Sequence, residues 1–239
     1  MKARPVFLAF FLVLVTIPSS AQQITLPKLC KPCLFYAGDL DPTNLDADAF
    51  WNENTLRDNN TQTFGGITVP KGRAILIQGI LFQTLFVLTN ELDPTQVTWE
   101  IRTGDIFNNG GTLVASGGGE VAMQPTGRLF NGGTEYTLAV RVNPAVELTG
   151  GQSPHGSQYW FNLMPECSNS QDPTCVSAQY YVTNTSTLVN AYNGRAQNLS
   201  PVTNSATHGY EWEYVCNAYG VVGNKCAWLS FGLMGKVVQ

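Results

Sequence analysis

The chain has 239 residues, of which 44% are hydrophobic, 11% aromatic and 13% charged, with 13 Lys+Arg against 17 Asp+Glu. That hydrophobicity excludes a disordered chain, and the acidic balance excludes a protein held on nucleic acid by a basic face. With 23 Gly and 13 Pro and few of the residues that build helical bundles, the expected class is all-β.

The chain opens with Lys2 and Arg4, then the apolar run PVFLAFFLVLVTIP, then Ser19 and Ala21 at the −3 and −1 positions of a cleavage site. The run is shorter than the roughly 20 residues that span a bilayer. Residues 1–21 are therefore expected to be a signal peptide cleaved after Ala21. The mature chain is expected in the cell envelope or the medium, with no membrane-spanning segment. Cleavage removes Lys2 and Arg4 and no acidic residue. The exported chain is thus mildly acidic, with no general attraction to DNA or anionic lipid.

Six cysteines lie beyond the leader: Cys30, Cys33, Cys167, Cys175, Cys216 and Cys226. An even count in an oxidising compartment predicts disulfides, and spacing favours pairing each with its neighbour in that order. CKPC lies in an N-terminal arm, residues 22–35. No core strand precedes it and no helical pattern comes after it, so nothing supplies the helix N-terminus that activates a redox thiol. A structural disulfide is expected. The two histidines, His155 and His208, stand at no zinc spacing from a Cys pair.

Residues 36–65 are polar and turn-rich. From Ile67 onward the pattern is that of strands. GITVP and RAILIQGILFQTLFVLT are bounded by Pro and Gly. In QVTWEIRTG, Val97, Trp99 and Ile101 alternate with polar residues, the mark of a half-buried strand. GGTLVASGGGEVAM predicts two strands around a Gly turn. Tyr136, Leu138, Val140 and Val142 share one predicted face, as do Tyr159, Phe161 and Leu163. QYYVTNT, YEWEYVC and AWLSFGLMG complete about ten short strands. This spacing predicts a single domain over residues 36–239, a jelly-roll-like antiparallel β-sandwich with disulfides.

Several segments, among them YAGDLDP, WEIRTG, NGGTLVASG, PTGR, EYTLAV, YWFNLMPEC and FGLMG, resemble a group of uncharacterised exported β-sandwich proteins of environmental bacteria, particularly acidobacteria. More distantly they are similar to the choice-of-anchor domains of surface proteins. The resemblance implies a jelly-roll-like sandwich with Trp99, Tyr159 and Phe161 in its core. It carries no established activity. Choice-of-anchor domains are usually followed by a sorting signal; the closing FGLMGKVVQ has no apolar helix, so free export is expected.

Three chemistries have candidate residues. Asp39, Asp41, Asn44, Asp46 and Asp48 offer oxygen ligands at alternate positions, which suits a structural Ca²⁺. Ala49 and Thr55 stand where an EF-hand needs Gly and Glu, and the competing reading is a solvated acidic loop. Trp51, Tyr192, Tyr210, Trp212 and Tyr214 are the candidates for binding carbohydrate, since sugar sites set aromatic faces beside a few polar groups. The competing reading is that they are core. Glu211 and Glu213 have the spacing of a glycosidase pair, about 6.6 Å between Cα atoms at ~3.3 Å per residue, but any E-x-E strand has it. With no nucleophile elbow or phosphate loop, the expected function is a non-catalytic exported interaction module. Its partner would be a polysaccharide or another envelope protein. The alternatives are a carbohydrate-active enzyme and a self-assembling envelope protein.

Overall fold

The computed structural model describes residues 27–39, 50–51, 61–86, 96–106, 110–130, 133–166, 180–182, 184–185, 201–204, 211–214 and 228–238. The strands in chain order are β1 (Cys33–Tyr36), β2 (Phe50–Trp51), β3 (Thr61–Thr63), β4 (Gly65–Val69) and β5 (Ala74–Phe86). Then come β6 (Gln96–Thr103), β7 (Thr112–Phe130), β8 (Gly133–Thr149), β9 (Ser157–Glu166) and β10 (Tyr180–Val182). The last are β11 (Asn184–Thr185), β12 (Pro201–Asn204), β13 (Glu211–Tyr214), β14 (Trp228–Leu229) and β15 (Phe231–Val237). The chain is mostly antiparallel β, as its composition predicts. Among the described residues no helix is long and apolar enough to cross a membrane.

The main sheet runs β1-β15-β5-β8-β7-β6-β9-β4, with β10 added to β5 and β2 to β10. It curls, because its two ends share one core. Phe231 of β15 stacks on Phe82 of β5 at 5.6 Å and meets Phe161 of β9 at 6.3 Å. Gly65 of β4 comes so close that a Cβ there would lie 2.5 Å from the Phe231 ring. The predicted inward faces are observed: Val97, Trp99, Ile101, Leu138, Val140, Val142, Tyr159, Phe161 and Leu163 all belong to this core.

Two strands depart from the expected pattern. SGGGE makes no turn. Residues 112–130 form one strand whose first part pairs with β6 and whose second pairs with β8. Gly117, Gly118 and Gly119 lie opposite Trp99, Thr98 and Val97. A Cβ at Gly117 would come 2.7 Å from the Trp99 ring, so the glycine makes room for the indole where the strand passes from one half of the sheet to the other. In β5 the core residues are Ile75 and Ile77, then Ile80 and Phe82. The parity changes because Gln78 is an extra residue against β15, and a bulge exchanges the two faces for every residue beyond it.

The outer face is also covered in part. Cys30, Tyr36, Leu81, Ala139 and Met234 form a second buried cluster, and Phe64, Ile106 and Trp160 a third. Strands β8 and β9 are therefore buried on both faces over part of their length, where simple alternation predicts one wet face.

Candidate functional site

The arm lies along the last strand. Residues Cys33–Tyr36 pair with β15 in the register Cys33 with Met234, Phe35 with Leu233 and Tyr36 with Gly232, so β1 crosses the expected boundary at residue 35. Cys30 and Cys33 are joined by a disulfide, as the spacing predicts. The arm then presents opposite faces of one short strand to two environments. Phe35 enters the main core, its ring 5.2 Å from that of Phe231. Tyr36 enters the outer cluster.

Just beyond β1 the arm meets a buried charge. Between Pro125, opposite Tyr136, and Leu129, opposite Thr134, three residues of β7 face Glu135 alone. Gly127 takes φ 83° at the apex of this bulge, a backbone setting that glycine adopts without penalty. The bulge folds Thr126 and Arg128 over Glu135, whose side chain is wholly buried. Thr126 Oγ1 donates to Glu135 Oε2 at 2.7 Å and Arg128 Nε donates to the same oxygen at 2.5 Å. Arg128 Nη2 reaches Asp39 Oδ1 at 3.2 Å, and the Tyr36 hydroxyl donates to that oxygen at 2.5 Å. Burial works against the Arg128 cation, but the attraction of Glu135, and then of Asp39, outweighs it and holds the guanidinium above its usual range. One cation thus compensates a buried carboxylate of the sheet and a half-buried one of the arm. Its chemical effect is to fasten the arm.

Of the calcium candidates, Asp39 is therefore an acceptor for Tyr36 and Arg128. Asp41, Asn44, Asp46 and Asp48 lie outside the described residues. The two ends of their segment are placed: Tyr36 lies, through β15, in the row of Leu81, and Phe50 lies, through β10, in the row of Thr84. At ~3.3 Å per strand residue these rows are about 10 Å apart, so the acidic segment leaves and rejoins one sheet edge at neighbouring points.

The aromatic candidates fall on small elements. Trp51 in β2 is the register partner of Tyr181, itself the partner of Leu85. Trp212 and Tyr214 lie in β13, the outer strand of a separate sheet ordered β13-β12-β3. There Trp212, Thr203 and Gln62 form one row, and Tyr214 is opposite Pro201. Glu211 and Glu213 pair with Asn204 and Val202. Since β2 lies against β3, Trp51 and Trp212 belong to adjoining parts of the molecule. Tyr192, Tyr210, His208, Cys167, Cys175, Cys216 and Cys226 lie outside the described residues. His155 sits in an exposed turn, its backbone N–H donating to Ser153 Oγ at 3.3 Å.

Sequence reasoning missed Thr126, Arg128 and Glu135. The available signal was small: a Pro-Thr-Gly-Arg string inside a strand, and a Glu in the alternation of EYTLAV on the face opposite Leu138. No family model, no curated protein and no solved structure matches the chain.

Proposed function

We propose that the protein is an exported, non-catalytic interaction module built on a jelly-roll-like sandwich, with a sugar polymer as its ligand. The observation that carries this reading is the row of Trp212, Thr203 and Gln62 across the small sheet. Register partners in an antiparallel sheet share a face. The row therefore brings together a Trp, a Thr and a Gln, residue types that sugar sites use for apolar ring contact and for hydrogen bonds. Trp51 lies on β2, which is next to β3, and so adds a second Trp to the sequence of this region. The leader-like residues 1–21 and the closed Cys30–Cys33 disulfide support export. The two ends of the curled sheet sharing one core around Phe231 support the sandwich. Calcium is proposed as a structural ion of the Asp39–Asp48 segment.

The test is a polysaccharide-binding screen on the oxidised chain, with and without Ca²⁺. Saturable binding is expected, weakened at least about tenfold by Trp212→Ala, the effect of losing ~1.4 kcal/mol, with thermal stability within a few degrees of the parent. Binding that survives both Trp212→Ala and Trp51→Ala would move the ligand off this region. Absence of binding to every polymer would reject the sugar reading.

A further inference from the structure

The arm is attached in two stretches that use different means. From Leu34 onward it holds by Phe35 against Phe231, by the Ala37 N–H donating to the Phe231 carbonyl at 2.8 Å, and by the contacts of Tyr36 and Asp39. Before Leu34 the ties run through the disulfide-closed residues 30–33, with Leu29 packed beside them on the same outer cluster. The Gly235 N–H donates to the Pro32 carbonyl at 3.0 Å. The Cys30 sulfur fills space among Leu81, Ala139 and Met234 and lies 3.9 Å from the carbonyl oxygens of Phe35 and Leu233. A β-bulge at Leu34 separates the two stretches. The disulfide also links only neighbours three apart in sequence, so it shapes the loop without bonding the arm to the sheet. Its two sulfurs belong to unequal residues: Cys30 is 4% exposed, whereas Cys33 is half-buried.

We propose that Cys30–Cys33 is a thiol-sensitive fastener that sets whether the first stretch of the arm is seated on β15. The thiolate of a small thiol or a dithiol protein attacks the more accessible Cys33 sulfur. The S–S bond breaks, its electron pair goes to the Cys30 sulfur, and that sulfur takes a proton. A second thiol attacks the mixed disulfide, leaving Cys30 and Cys33 as thiols and the two external sulfurs joined as a disulfide. Without its cross-link the loop gains backbone freedom and no longer holds the Pro32 carbonyl at Gly235. The edge of β15 at Met234 and Gly235 is then uncovered and joins the already exposed Lys236 and Val237, while Phe35–Asp39 remains docked. An uncovered strand edge is a template for pairing with another chain, so a change in thiol status becomes a change in available surface.

The experiment compares amide hydrogen exchange of the full oxidised chain with that of a Cys30→Ser/Cys33→Ser double variant. Gly235 is expected to exchange at least about tenfold faster in the variant, with Ala37 within about twofold of the parent, since exchange reports local opening free energy. Unchanged exchange at Gly235, or equal acceleration at both amides, would overturn the proposal. Should the variant fail to fold, brief reduction of the parent chain with glutathione reads the same two amides. Under limiting glutathione the trapped adduct is expected on Cys33, and an adduct on Cys30 instead would also overturn it.

Discussion

The two faces of the arm meet two kinds of interior. Phe35 enters a core built from Phe82, Phe161 and Phe231, where no contact has a required direction. One residue later, Tyr36 enters the side where Asp39, Arg128 and Glu135 fix one another through directed bonds. Both settings bury side chains completely: Phe231 and Glu135 are each 0% exposed. The first is stabilised by area removed from water and tolerates change of shape. The second depends above all on the cation beside the buried Glu135, because a buried charge that loses its counter-ion keeps its desolvation cost.

Truncation on the apolar side gives the largest expected loss. Phe231→Ala removes a ring that touches β1, β5 and β9 at once, and should cost about 3–5 kcal/mol, read as a shift in denaturant midpoint at constant slope. On the charged side Arg128→Ala removes the cation that lies against the buried Glu135 carboxylate and should cost a similar ~3–5 kcal/mol or somewhat less. The comparison is sharpened by replacing both partners. Arg128→Met with Glu135→Leu should recover most of that loss, since a buried pair is often matched by apolar residues of like volume. If the double variant is as unstable as the single one, the charged side is stabilised by the pair itself.

A smaller effect is expected at the exposed end of the same network. Asp39 is partly open to solvent, so Asp39→Asn should cost no more than about 1 kcal/mol while raising amide exchange at Ala37. The smallest effect concerns pH. A guanidinium held above its usual range contributes stability that is complete below its unfolded-state pKa and is lost only as pH rises through the still higher folded-state value. The difference in thermal midpoint between the parent and Arg128→Met should therefore stay constant between about pH 6 and pH 10. A difference that collapses by pH 10 would mean that another group carries the tie.

Much of the apolar side can be read from the sequence. Val97, Trp99 and Ile101 alternate with polar neighbours, and a strand with one core face must alternate in that way. Less of the charged side can be read. Glu135 stands in an alternation whose opposite face is apolar, so the pattern assigns it to solvent. A bulge in β7 places Arg128 over it, and Arg128 in turn reaches Asp39, 89 residues earlier, a separation that no local pattern crosses. The glycines of SGGGE are a similar case: a Gly run signals a turn, but here it clears the Trp99 ring inside an unbroken strand.

The sequence by itself determined the β class, the inward faces of β6, β8 and β9, and the pairing of Cys30 with Cys33, because each depends on side chains a few residues apart. Tertiary structure alone decided that β7 crosses the sheet unbroken, that the arm becomes the partner of the last strand, and that Arg128 holds Asp39 and Glu135 together. Those outcomes depend on which distant strands become neighbours. Buried polar groups make that choice consequential, since they are stable only where the fold brings their partners within hydrogen-bond reach.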